Sequence, residues 1–98
     1  MKDVREGVDA VDEALVRLLA RRFGYMDAAA RIKPERGHVR DEARKAQVIA
    51  NVSLHAAAQG LPEDRIARLW DCLVEESIAY EFEAFDGLAA AERAQHAS

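Results

Sequence analysis

Residues 4–32, VREGVDAVDEALVRLLARRFGYMDAAARI, decide the fold. Along them Val4, Val8, Val11, Leu15, Leu18, Arg22, Tyr25, Ala29 and Ile32 follow one another at alternating spacings of four and three. An α-helix turns once in about 3.6 residues, so this spacing keeps one face turned toward a packed neighbour, as in a coiled coil. The pattern predicts one helix from about Asp3 to Lys33, roughly 45 Å long. A compact chain of 98 residues has a radius of gyration of only about 13 Å and a diameter of about 32 Å. The helix overshoots its own globule and needs a partner. A second copy of the chain in a two-fold dimer supplies one.

Outward from this helix the chain is punctuated in few places. Pro34 to Gly37 forms one break, Gln59-Gly60-Leu61-Pro62 a second, and Gly87 a weaker third. Asp41 suits the N-cap of a second helix running to about Gln59, with Gly60 just past its end. Pro62 suits the first turn of a third helix, with the acids Glu63 and Asp64 where the helix dipole favours them. That helix is read to about Phe85, with the alanine-rich stretch from Gly87 to Ser98 as frayed helix. No segment alternates apolar and polar residues as a half-buried strand would. The expected fold is all-α: a single domain over residues 1–98, three helices with a very long first one, intertwined as a homodimeric bundle.

Composition narrows the function. Half of the side chains are apolar and the net charge is −4, from 14 basic and 18 acidic residues. Such a chain does not coat nucleic acid or an anionic membrane by bulk charge, and its apolar runs are too short to span a bilayer. Cys72 is the single cysteine, which leaves neither an internal disulfide nor a multi-cysteine zinc site. The N-terminal residues carry acids and no apolar run, so a cytoplasmic protein is expected. His38, His55 and His96 lack ligand spacing, and neither a nucleophile–histidine pair nor a glycine-rich phosphate loop is present. No metal and no cofactor are expected.

Three places break the helical pattern. Arg22 occupies a seam position among apolar neighbours. Either it snorkels to solvent or pairs with an acid, or its guanidinium is kept in a pocket to grip a carboxylate with two prongs. Lys33 lies eleven residues on, nearly the same face and about 16 Å along the axis, so both long side chains can converge on one small anion. Arg5 is about 25 Å from Arg22 along the helix and can reach that ligand only from an antiparallel second chain. Arg44 sits one turn into the second helix, where a cation opposes the dipole. It is read either as part of a solvated face or as a third cation around the anion. Between Arg17 and Lys45 nine basic side chains face four acidic ones, a positive island suited to a small polyanionic metabolite. In the third helix the apolar stripe Ile66, Leu69, Trp70, Leu73, Val74 continues into Ser77 and Glu81. A serine there often bonds its own i−4 carbonyl, whereas a carboxylate on an apolar stripe is rarer.

Taken together, Val4-Arg5-Glu6, the run LVRLLARR from Leu15 to Arg22, Arg31-Ile32-Lys33, Val39-Arg40-Asp41 through Arg44, and Glu75-Glu76-Ser77-Ile78 resemble the all-helical class of chorismate mutases. The resemblance runs from about Val4 to Glu83. It implies an intertwined homodimer with two equivalent sites, each completed by Arg5 of the other copy. It further implies that Arg22 and that Arg5 clamp the two carboxylates of chorismate with help from Arg44. Lys33 would bond the ether oxygen of the breaking bond, Asp41 would lie near the ring hydroxyl, and Ser77 near the ring carboxylate. The reaction would be the rearrangement of chorismate to prephenate in aromatic amino acid biosynthesis.

Two positions depart from that pattern. Lys45 stands where many mutases carry a glutamate that receives the ring hydroxyl's hydrogen bond, and Glu81 stands where a glutamine usually faces the ether oxygen. Only a protonated Glu81 could donate a hydrogen bond to that oxygen. Lys45, together with the run YMDAAARIK from Tyr25 to Lys33, keeps the related isochorismate pyruvate lyases as an alternative. A non-enzymatic helical dimer explains the seam but not the inward Arg22, Lys33 and Glu81. A DNA-reading helix is disfavoured by Glu75, Glu76, Glu81 and Glu83 in the third helix.

Overall fold

The computed structural model describes residues 1–96, which form three α-helices: α1 (Lys2–Ile32), α2 (Glu42–Ala58) and α3 (Glu63–His96), with one 3₁₀ turn (Arg36–His38) between α1 and α2. Each boundary has a local cause. Lys33 is extended, at φ −66° and ψ 129°, because the ring of Pro34 disfavours the helical region for the residue before it. α2 starts on Asp41, whose Oδ1 accepts the backbone N–H of Arg44 at 3.0 Å. It ends in a Schellman turn: the N–H of Leu61 donates to Ala56, that of Gly60 to Ala57, and Gly60 takes the left-handed φ of 71° that glycine adopts without strain. The carbonyl of Pro62 accepts the first helical bond of α3, from Ile66.

α3 extends the expected third helix into the stretch read as frayed helix. It does not stop near Phe85 but continues to His96, outlasting Gly87. A lone glycine inside a helix costs only about 1 kcal/mol relative to alanine, and it is followed by Leu88 and then by Ala89, Ala90 and Ala91, all strong helix formers. Residues 97 and 98 lie outside the described residues.

α3 is the central element and packs against both α1 and α2, whose backbones do not approach each other closely among the described residues. The apolar core is thin: Ala30, Val39, Ala56 and Val74 are the buried apolar residues among those described. On α1 every residue from Lys2 to Leu18 is exposed, including the seam residues Val4, Val8, Val11, Leu15 and Leu18 at 49–59%. The radius of gyration is 17.3 Å and the molecule measures 61 × 32 × 15 Å, well beyond the ~13 Å of a compact chain this long. The accessible surface is 7463 Å², where a folded monomer of this mass exposes about 5,600 Å². A single chain thus leaves open an excess comparable to one side of a large protein–protein interface.

Candidate active site

The last three turns of α1, the start of α2 and the middle of α3 surround a cavity of about 350 Å³. Helical spacing explains which side chains face it. On α1 and its C-cap these are Arg22, Met26, Ala29 and Lys33; on α3 they are Val74, Ser77, Ile78 and Glu81, each set recurring every three or four residues along one face. Asp41, Arg44, Lys45 and Val48 enter from α2 and its cap, and His38 and Val39 from the connection.

Ser77 is 3% exposed, and its geometry is fixed from two sides. Its Oγ donates to the carbonyl of Leu73 at 2.7 Å and accepts from Arg22 Nη1 at 2.5 Å. The serine proton is therefore spent on the backbone, and the hydroxyl orients Arg22 rather than acting as a nucleophile. A guanidinium carries five donors, so most of those of Arg22 remain for a ligand. Burial, and then the nearby charge of Arg44, lower the pKa of Arg22 from its ordinary value. A bound anion would relieve both influences on Arg22.

Glu81 is 4% exposed, and its Oε2 accepts from Lys33 Nζ at 2.6 Å. The carboxylate on the apolar stripe is thus paired, as a desolvated charge must be. The pair also holds the Lys33 ammonium at the cavity wall with two further donors free. Lys45 is tied differently. Its Nζ lies 2.9 Å from Asp71 and 2.8 Å from Glu75, and the hydrogen bonds it donates to Glu75 and then Asp71 raise its pKa. Glu75 in turn is gripped by Arg40 at 2.6 Å. Arg40 and Lys45 together hold its carboxyl down to about 2. The charge of Lys45 is compensated from outside the cavity, which leaves Arg22 and Arg44 to set its positive potential. Arg44 leans along α2, its Nη1 donating to Gln47 Oε1 at 2.6 Å.

Of the residues singled out in the sequence, Arg22, Lys33, Asp41, Arg44, Lys45, Ser77 and Glu81 line this one cavity. Arg5 does not: it lies near the far end of α1, in the exposed stretch. Met26, Ala29, His38, Val39, Val48, Val74 and Ile78 line the cavity as well without having been singled out for it. Met26 and Ala29 were legible, since they fill the helical steps between Arg22 and Lys33. His38 and Val39 were not, because the path of an irregular connection has no periodicity to read. Among the described residues no group of histidine, cysteine and carboxylate side chains is arranged to hold a metal ion.

The arrangement can bind a small dianion, orient it with fixed donors, and place cationic hydrogen-bond donors at a third point. It has no nucleophile paired with a base. No curated protein and no solved structure matches the chain significantly. The family model for chorismate mutase type II matches residues 4–82, from the first turn of α1 to one residue past Glu81. On that match, which covers the cavity and all three helices that build it, the chain belongs to the chorismate mutase type II family.

Proposed function

We propose that the protein is a chorismate mutase, acting as a two-fold dimer in which each site is completed by Arg5 of the other copy. The observation that carries this reading is the cavity itself, where Arg22, Arg44 and Lys33 converge and the one serine hydroxyl is spent on a backbone carbonyl. Rearrangement of chorismate to prephenate asks for such a site. The ether C–O bond breaks as a C–C bond forms between the two ends of the same molecule, with no proton transfer and no covalent intermediate. The enzyme must hold the enolpyruvyl arm over the ring and stabilise negative charge growing on the ether oxygen. Arg22, Arg44 and the second copy's Arg5 grip the two carboxylates. Lys33, held by Glu81, donates to the ether oxygen. Asp41 lies toward the ring hydroxyl and Ser77 toward the ring carboxylate.

The dimer is supported by the exposed seam of α1 and by the excess surface of the single chain. Two copies that each cover roughly 1,900 Å² would form an interface in the obligate range.

Lys45 favours a second reading, an isochorismate pyruvate lyase, because a cation stands where a mutase glutamate receives the ring hydroxyl. Incubation of the purified protein with chorismate and, separately, with isochorismate decides between them. Prephenate from chorismate without pyruvate is the expected result. Pyruvate and salicylate from isochorismate would make it a lyase, and inertness toward both would leave a helical dimer without this chemistry.

A further inference from the structure

The connection from α1 to α2 supplies Lys33, His38, Val39 and Asp41 to the cavity, yet of its residues only Val39 is buried. What fastens it to the rest of the molecule is ionic. At one end Lys33 meets Glu81. In the middle Arg36 grips Asp86 with two prongs, Nε to Oδ1 at 2.9 Å and Nη2 to Oδ2 at 3.3 Å. The guanidinium carbon of Arg36 also stands 4.4 Å from the centre of the Phe82 ring. At the far end Arg40 Nη2 reaches Glu75 Oε2 at 2.6 Å. Along α3 these partners run from Glu75 through Glu81 to Asp86, about three turns of one helix. The connection therefore lies against α3 as a strap that closes one side of the cavity.

Neither Arg36 nor Asp86 lines the cavity, although the Arg36 carbonyl accepts the N–H of the cavity residue Val39 at 3.1 Å, and Asp86 lies beyond residue 82, where the family match ends. It belongs to the part of α3 that continues past the region in common. We propose that Arg36 and Asp86 are positioning residues for the candidate site, fastening the strap so that Lys33, Val39 and Asp41 stand against Arg22 and Glu81. The proposal rests on the mutase reading for its substrate, but not for its mechanics. Arg36 and Asp86 are 59% and 51% exposed. A two-pronged pair with a cation–π contact biases the strap toward the position in which it closes the cavity. Arg36, with a smaller contribution from Arg93, holds the Asp86 carboxyl below its ordinary value, so the pin is charged at neutral pH.

The test compares the full-length protein with Asp86→Asn, Asp86→Arg and the reversed pair Arg36→Asp/Asp86→Arg. Amide hydrogen exchange over residues 34–41, thermal melting and steady-state kinetics with chorismate are the readouts. In Asp86→Asn and Asp86→Arg the strap amides should exchange several-fold faster and KM should rise by about threefold to tenfold. Turnover and melting temperature should barely change, and the reversed pair should restore KM in part. Unchanged exchange in Asp86→Arg overturns the strap. Faster exchange with KM unmoved overturns the positioning role. A wild-type protein inert toward chorismate would overturn the mutase reading instead, with the strap still decided by exchange.

Discussion

Arg22 is partly withdrawn from water, oriented by Ser77 and faced by a second guanidinium, so its placement makes sense only if an anion joins it. Arg22→Lys should therefore be damaging, because an ammonium cannot reproduce a two-pronged grip on a carboxylate. Steady-state kinetics should show the loss in KM and in turnover. Lys33 carries the larger catalytic expectation. Lys33→Ala should slow the chemical step by on the order of a hundredfold or more, as loss of a transition-state donor does; near-normal single-turnover rates would place the reacting oxygen elsewhere. Glu81→Gln exchanges an acceptor for a side chain that can also donate. If the ether oxygen lies beside it, this variant should turn over chorismate faster than wild type at pH 8, and an unchanged or slower rate would move Glu81 out of contact with the substrate. Glu75 makes a different prediction. Its carboxyl is about 2 in the folded protein against an ordinary 4.5. The folded state thus holds the charged form more firmly than the unfolded chain does. Its contribution to stability is complete above pH 4.5 and fades as pH falls toward 2. Urea unfolding across that window should show a shallower acid loss for Glu75→Gln than for wild type.

At the scale of the helices, the spacing of apolar residues carried most of the information. α1 was legible to within a residue at each end, because a long seam, an acidic start and Pro34 all point the same way. The N-cap at Asp41 and the turn at Gly60 were legible from capping chemistry alone. The far end of α3 was not, since Gly87 signals a stop only where the backbone turns left-handed, and here it remains in the helix. The same distinction holds for the cavity. Arg22, Ser77 and Glu81 stood out as polar residues on apolar faces, and Lys33 as a cation at a helix end. The ties between Lys45, Glu75 and Arg40, and the pin between Arg36 and Asp86, span distances in the chain that no local pattern encodes. Gly87 also gives a direct test of α3: a methyl group there meets nothing within 4 Å. Gly87→Ala should stabilise the protein by roughly 0.5–1 kcal/mol by favouring the helix. A melting temperature that stays the same or falls would mean that the helix does not persist through this residue in solution.

For the whole molecule, a chain that measures 61 Å in its longest direction around so thin a core leaves the apolar seam of α1 uncovered. In the dimer proposed here the same association that buries Val4, Val8, Val11, Leu15 and Leu18 brings Arg5 of one copy to the cavity of the other. Val11→Asp should abolish association, and sedimentation velocity should then report a monomer or an unfolded chain. The most direct test joins assembly and chemistry. Arg5→Ala and Arg22→Ala are each expected to be nearly inactive, since each lacks one carboxylate grip at both sites. When the two proteins are mixed and allowed to exchange subunits, each hybrid dimer carries one intact site and one doubly altered site. Prephenate formation from chorismate should recover to about a quarter of the wild-type rate, as random pairing of two-fold dimers requires. No recovery in a mixture whose subunit exchange is verified by mass spectrometry would contradict a chorismate mutase site shared between two copies of this chain.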